Sequence, residues 1–579
     1  MQAIALRPKF VAIPRRLIRL HRPSDALIWF WTCLVAYLAV AFYVTLIAHS
    51  QGLGQDGVSR VAIANRILFS GDPHLAAVGF VWSPLPELVL VPLVALKSVW
   101  PALVQDAFAG NIVSALFMAG AAYQVFRFLE EVGVPRWVRW LLTATFALHP
   151  MIILYAINSM SEAMFIFFLL LVARHLQRWL RTQEISALVS TAFYLAMLYL
   201  TRYEATAAAA AVVVIVGFAT FTRTKSVARR RIRAAVLDSF IVVAPFATAF
   251  VLWALTSWLI TGTAFQQLSS SYGNAAQLQS RGLSTSLTLG QELAASSQAL
   301  HWMLALEPFL PVVIVACVTV IVWRRDWIAL AAPAVLGAVL AFMFWAQVSG
   351  SVLQLLRYFI VVIPLVILMV GVTLARRSTA GSPQRATSRL EPGWRDRWLT
   401  LLWAGGRTVA AVAGIVLMSL SVQAGYRAVM DPTINVGYAA ELQALMQRGP
   451  LTHAERLASL RFVTDHQVSQ YVDSLHLGRG TVLVDDFLGF DIVMSSSNTQ
   501  QYVITSDRDF QQVLADPAGN GVRYFLVPSE QALGKLDAIN RAYPGAYANG
   551  GGLGTLIKQF NNVSDDTTNW RLYRVTGTG

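Results

Sequence analysis

Asp56, Glu162, Arg202, Glu204 and Arg357 are among the thirteen residues with which this chain of 579 could do chemistry. A carboxylate near a guanidinium can take a proton from a hydroxyl while the guanidinium steadies a departing anion. Each of the five stands beside or inside an apolar stretch, where an ionisable group is expensive and is a functional candidate by default. At the same expected depth lie Arg60, Asp72, His74, Glu87, His149, Asn158, Tyr203 and Tyr358. They come from distant parts of the chain, and a shared cavity facing outward is the economical explanation. A ring of interfacial anchors would account for the tyrosines and one arginine. It accounts poorly for Glu162, directly ahead of the apolar run 163–172.

Asp56 opens the stretch Asp56-Gly-Val-Ser-Arg60-Val-Ala-Ile-Ala-Asn-Arg66, which has helical propensity and follows a Gly-rich turn. As an N-cap it would accept hydrogen bonds from the first backbone N–H groups. As a general base it would sit near the bilayer surface with Arg60 one turn away. The two roles are compatible, and spacing does not separate them.

These residues need a scaffold, and composition defines its class. Apolar residues make up 56% of the chain and charged residues 13%, against about 25% charged in soluble domains. That excludes a soluble enzyme, a disordered chain and a fibrous protein, and leaves a polytopic α-helical membrane protein. Cys33 and Cys317 lie in apolar runs and define neither a disulfide framework nor a zinc site. The net charge of +14 is gathered in three clusters: 7–22, 223–233 and 376–397. Short basic loops stay cytoplasmic, so the charge reads as topology and not as nucleic-acid binding. The run 26–48 is too long for a typical signal peptide and is expected to remain as an anchor.

Apolar runs long enough to cross, at about 20 residues each, fall near 26–49, 84–104, 107–127, 137–157, 160–180 and 185–200. Six more fall near 204–222, 238–262, 303–323, 327–349, 353–375 and 399–422. The basic loops fix the sides, and the run 84–104 must then begin and end on one face. Pro84, Pro86, Pro92 and Pro101 punctuate it and Glu87 and Lys97 interrupt it, so it reads as interfacial or re-entrant. About eleven spans remain, within a plasma-membrane protein whose N-terminus is cytoplasmic and whose C-terminus is extracytoplasmic. The expected organisation is a basic N-terminus (1–25), a transmembrane domain (26–422) whose first outer loop is 50–106, and a tail (423–579). A polar outer loop is expected over 263–302. In the tail, strand-like pieces at 481–484, 501–504, 524–527 and 570–575 alternate with helical stretches at 509–514 and 530–543, as in a small α/β domain. Asp485-Asp486 end a strand, Asn549–Gly554 reads as a glycine-rich loop, and Asn562-Val-Ser564 fits a glycosylation acceptor.

The first loop, with Asp56…Arg60…Ala64…Gly71-Asp72…Ser83-Pro84-Leu85-Pro86 and then Ser-Ala-Leu at 114–116, resembles that of family 39-type membrane glycosyltransferases of the GT-C superfamily. That group includes protein O-mannosyltransferases and the lipid A aminoarabinose transferase. Further matches run in order: His149-Pro150…Asn158-Ser-Met-Ser-Glu162, Leu200-Thr-Arg202-Tyr-Glu204 and Leu356-Arg357-Tyr358-Phe359. The resemblance implies an inverting enzyme, without an obligatory metal or cofactor, although a divalent metal is not excluded. Its donor is a polyprenyl-phosphate sugar in the bilayer, and its acceptor a glycan, lipid or protein hydroxyl outside. It implies Asp56 as catalytic base and Arg60, Asp72, His74, His149, Glu162, Arg202, Tyr203, Glu204, Arg357 and Tyr358 as substrate-binding residues, with Arg357 on the donor phosphate and Arg202, at the same depth, as the rival ligand.

The chain departs from the family in three places. An acidic pair often stands where it has Asp56-Gly57. A Glu-Lys or His often stands where it has Val81-Trp82-Ser83, and an arginine where it has Asn111. Neither sugar nor acceptor carries over. A transporter or flippase would also put charges around a cavity, but no paired halves are visible. A non-catalytic scaffold would require a dispensable Asp56.

Overall fold

The computed structural model describes residues 24–50, 53, 55–282, 287–375, 394–447, 449–564 and 568–576. The basic clusters 7–22 and 376–393 lie outside them. Among the described residues, eight helices are long and apolar enough to cross a membrane, and ten if two bent pairs each form one span. A further apolar helix, Ile185–Thr201, has 17 residues, and with it the count reaches the eleven expected.

Both bends follow from proline. Arg136–Leu148 meets Pro150–Ala156 at 63°, because Pro150 has no N–H to continue the ladder and restricts His149 before it to an extended conformation. Leu289–Leu306 meets Leu310–Arg324 at 79° across Glu307-Pro308-Phe309. The first of that pair corrects the expectation of an open polar loop over 263–302. Thr288 and Gln291 form a capping box that starts a helix inside it, and alanines and serines carry the helix despite their modest hydropathy.

The proline-punctuated run 84–104 forms no helix long enough to cross. Its helix, Leu85–Val94, has 10 residues, about 15 Å of rise against a hydrocarbon core of about 30 Å. It is followed by turns and the single turn Ala102–Gln105. The helix packs on Gln55–Phe69, the helix that begins beside Asp56.

The last apolar helix, Trp394–Met430, leads to a small sheet domain. Its strands are β1 (Val482–Val484), β2 (Tyr502–Val503), β3 (Tyr524–Pro528), β4 (Gly554–Phe560) and β5 (Trp570–Val575), in the order β2-β1-β3-β5-β4. β1 pairs in parallel with β2 and β3, while β5 is antiparallel to β3 and to β4. Trp570, Tyr502, Phe525 and Tyr573 are fully buried in it. The four expected strands form. β4 is additional, hidden in the sequence behind Gly550, Gly551 and Gly552, whose positive φ angles make the turn into it. The expected helix over 530–543 is two short turns, Ala532–Leu536 and Ala538–Ala542.

The sheet domain is clamped onto the first loop. Arg66 pairs with Asp486 at 2.5 Å, with both side chains largely buried. Thr499 Oγ1 donates to the Phe69 carbonyl at 2.6 Å, and Arg508 Nε donates to Asp72 Oδ2 at 2.8 Å. On another side, Tyr272 donates to Asp485 at 2.8 Å.

The short helix makes a topological prediction. Cys33 and Cys317 are buried and Ser98 is exposed, so Ser98→Cys is the accessible thiol. A membrane-impermeant thiol reagent should label it from the outer face of intact cells. Labelling only after permeabilisation would mean that 84–104 crosses.

Candidate active site

Four segments meet at one end of the helical bundle, and each brings part of an ion-pair network. The helix Gln55–Phe69 supplies Asp56 and, one turn on, Arg60. The turn between Pro150–Ala156 and Glu162–Thr182 supplies Ser161 and Glu162. The break after Ile185–Thr201 supplies Arg202, Tyr203 and Glu204, and a 3₁₀ turn, Leu356–Phe359, supplies Arg357 and Tyr358.

Arg357 Nη2 lies 2.6 Å from Asp56 Oδ2, and its Nε lies 3.9 Å from Glu162 Oε1. That same oxygen accepts from Arg202 Nη1 at 2.7 Å, while Arg202 Nη2 holds Glu204 at 2.5 Å. Ser161 Oγ accepts from Arg202 at 3.2 Å and from Arg60 at 3.4 Å. Arg60 pairs with the buried Glu87 of the short proline-rich helix and stacks on Trp82 with 4.5 Å to the ring centroid. Tyr203 closes the edge by donating to the Val81 carbonyl at 3.3 Å. The Tyr358 ring centroid lies 5.6 Å from the Arg357 guanidinium.

The pairs are not equivalent. Glu87 and Glu162 side chains are 1% and 3% exposed, whereas the Asp56 side chain is 41% exposed. Removing one partner of a buried pair costs about 3–5 kcal/mol because the other charge is left unmatched, so Arg60 with Glu87 and Arg202 with Glu162 serve chiefly to hold the walls. Asp56 alone combines a strong cationic partner with open access. Desolvation by the surrounding protein pushes its carboxyl up. The charge and hydrogen bond of Arg357, then the charges of Arg60 and Arg202, pull it down further, leaving the pKa below the usual aspartate value. The group is therefore ionised at neutral pH and able to accept a proton.

Three residues expected in the site lie apart from this network. Asp72 is held by Arg508 at the joint with the sheet domain, through the side chain and at 3.1 Å by the Arg508 backbone N–H. Its pKa is pulled well down, chiefly by the hydrogen bond to Arg508. His74 Nδ1 lies 2.6 Å from the Asp72 carbonyl oxygen. His149 is fully buried as the N-cap of Pro150–Ala156, with Nδ1 accepting from the Met151 N–H at 3.2 Å.

Two tyrosines that the sequence reading passed over stand close by. Tyr155 is fully buried among Glu162, Arg357 and Asp56, and Tyr438, from beyond the last apolar helix, packs edge-on against it at 6.4 Å. Tyr155 sits in an apolar run like any core residue. Its only signal is its place one turn before Asn158.

The departure at Gly57 has a steric cause. A Cβ there would collide with the carbonyl oxygen of Asn158 and the side chain of Ser159, so this chain has no room for the second acid of the family's pair. Among the described residues, no group of three or more His, Cys, Asp or Glu is placed to hold a metal ion.

A bundle of apolar helices with two bent pairs carries a short proline-rich helix in its first loop and a small sheet domain in its tail. The crystal structure of ArnT, a lipid A aminoarabinose transferase, from Cupriavidus metallidurans bound to undecaprenyl phosphate has this fold. It aligns with a TM-score of 0.51 at 14% identity, over 95% of this chain and 98% of that one. The same protein in the apo state aligns with a TM-score of 0.50 at 13% identity, over the same shares. No family model matches the chain, and no curated protein matches it in sequence.

Gly57→Ala tests whether the packing under Asp56 sets its position. The added methyl has nowhere to go without moving the Asn158-Ser159 backbone. The transfer activity should fall by about a hundredfold, the order expected for a displacement near 1 Å, while the protein still inserts. Full activity in Gly57→Ala would separate the recess from the chemistry.

Proposed function

We propose that this protein is a membrane glycosyltransferase that moves a sugar from a polyprenyl-phosphate donor to an acceptor hydroxyl on the outer face of the plasma membrane, with inversion. The observation that carries the reading is the Asp56–Arg357 pair, a part-exposed carboxylate beside an arginine in a network whose other ion pairs are buried. The fold it shares with ArnT, crystallised with undecaprenyl phosphate, supports the donor class. Nucleotide sugars are absent outside the cell, so a donor used there arrives on a lipid.

In this mechanism the Asp56 carboxylate takes the proton of the acceptor hydroxyl. The acceptor oxygen attacks the anomeric carbon, the bond from that carbon to the phosphate oxygen breaks, and the electron pair leaves with the polyprenyl phosphate. Arg357 gives charge-assisted hydrogen bonds to the phosphate, whose charge grows along the reaction, so the arginine favours the transition state over the bound donor. Asp56 then returns its proton to water. Arg202, Glu162, Glu204 and Arg60 hold the walls. Tyr358 flanks Arg357, and Tyr203 ties the Arg202 turn to the segment before the proline-rich helix. The acceptor is a glycan, lipid or protein, and the bilayer delivers the donor. Asp72 and His74 act through the joint with the sheet domain, and His149 through the bend that aims Pro150–Ala156 at the recess.

Transport is a second reading with one observation in its favour. Two broken helices meet at their breaks, with His149 Nε2 3.5 Å from the Leu306 carbonyl oxygen. Transporters use such breaks to bind solutes. Here His149 and Glu307 at the breaks are buried, so neither lines an open path.

Membranes containing the protein, offered a panel of polyprenyl-phosphate sugars, should release polyprenyl phosphate in step with glycosylated acceptor. Asp56→Asn keeps the size and should lower turnover by about 10²–10⁴ with normal insertion. Near wild-type transfer by that variant would remove Asp56 from the mechanism.

Arg357→Lys retains the charge but loses the planar fork, and should depress kcat more than it raises the KM for donor. Unchanged kinetics at limiting donor would return Arg357 to an anchoring role and point to Arg202.

A further inference from the structure

The contact between Asp56 and Arg357 is too short for the reaction just described. In an inverting displacement, base and phosphate lie on opposite faces of the anomeric carbon. A hydrogen bond of about 2.8 Å stands at each end, and reacting atoms about 3 Å apart lie between them. Base and phosphate ligand must therefore stand well apart, yet Arg357 Nη2 and Asp56 Oδ2 are 2.6 Å apart.

Arg357 has a second place to go. Its Nε is buried without a hydrogen-bond partner and lies 3.9 Å from Glu162 Oε1. The other oxygen of Glu162, also buried, has no partner either. Among the described residues, Nη1 reaches only the Met160 sulfur, at 4.0 Å. The guanidinium thus has two of its three nitrogens uncommitted to a carboxylate hydrogen bond, beside an acid with an oxygen to spare.

We propose that Asp56 and the donor's phosphate compete for Arg357. The incoming phosphate draws the guanidinium off the carboxylate toward Glu162, and the base is released only when donor is in place. Glu162 is then a positioning residue that steadies Arg357 in its second setting. The inference rests on the glycosyl-transfer reading above. It gives that reading an order: donor first, then acceptor. It also couples the two halves of the chemistry. Burial raises the Asp56 carboxyl and Arg357 is the strongest influence lowering it. Moving the arginine to phosphate leaves the raising influence less opposed, and the carboxylate becomes a better base when it is needed.

The test is a double-mutant cycle on binding, with undecaprenyl phosphate as the probe and the full-length protein in detergent. The proteins are wild type, Asp56→Asn, Arg357→Ala and the double variant. Competition predicts that Asp56→Asn binds the lipid phosphate more tightly, on the order of tenfold for a close charge pair, and that the gain disappears in the Arg357→Ala background. Asp56→Ala, run in the same cycle, gives the same answer without the new amide. Unchanged or weaker binding by both Asp56 variants would overturn the proposal, because the fork would then serve carboxylate and phosphate together. A gain that persists without Arg357 would also overturn it, reducing the effect to repulsion between two anions. Failure here is distinct from failure of the mechanism: Asp56→Asn turnover judges the base, and its lipid binding judges the competition.

Discussion

Charge taken out of bulk water must be matched, and at the mouth of this bundle it is matched across the chain. Arg60, Arg202 and Arg357 belong to three segments, and their partners Glu87, Glu162, Glu204 and Asp56 come from those segments and two others. All but the local Arg202–Glu204 pair draw together pieces that hydrophobic packing alone would leave free to slide, since one apolar helix face is as good as another in lipid. One of them, Asp56 with Arg357, leaves its carboxylate side chain 41% exposed.

The helix Gln55–Phe69 links that pair to the tail. Its first turn carries Asp56 and its last carries Arg66 and Phe69, which the sheet domain grips through Asp486 and Thr499. A second hold comes from Glu441, bonded to Ser50 just ahead of that helix, in the segment that also carries Tyr438. The tail thus braces the loop bearing Asp56. Asp72, at the end of the same loop, is spent on that joint.

Much of this was legible in the residues themselves. Glu162, Arg202, Glu204 and Arg357 stand out because a charge beside an apolar run is rare, and they do converge. The proline spacing of 84–104 announced a segment that stops short. Depth, however, does not determine partners. Asp72 shares the depth of Asp56, but its partner is Arg508, far along the chain and invisible to spacing. His149 looked like a site residue because it is polar; next to Pro150 it is the cap of a bent helix. Tyr155 and Tyr438 look like ordinary core and tail residues until the fold places them beside Arg357. The helix Leu289–Leu306 escaped because its alanines and serines mute the apolar signal. Gly57 stood out in the sequence only as a departure from an acidic pair, and the Asn158 carbonyl packed against it supplies the steric reason.

The central claim is that Asp56 and Arg357 face one another across the reacting centre, and the most direct test is a cryo-electron microscopy structure of the protein with undecaprenyl phosphate. The account predicts phosphate density within hydrogen-bonding distance of the Arg357 guanidinium, with the Asp56 carboxylate parted from it and facing the vacated recess. Phosphate bound elsewhere, for instance at Lys97, with the Asp56–Arg357 contact still at 2.6 Å, would contradict it.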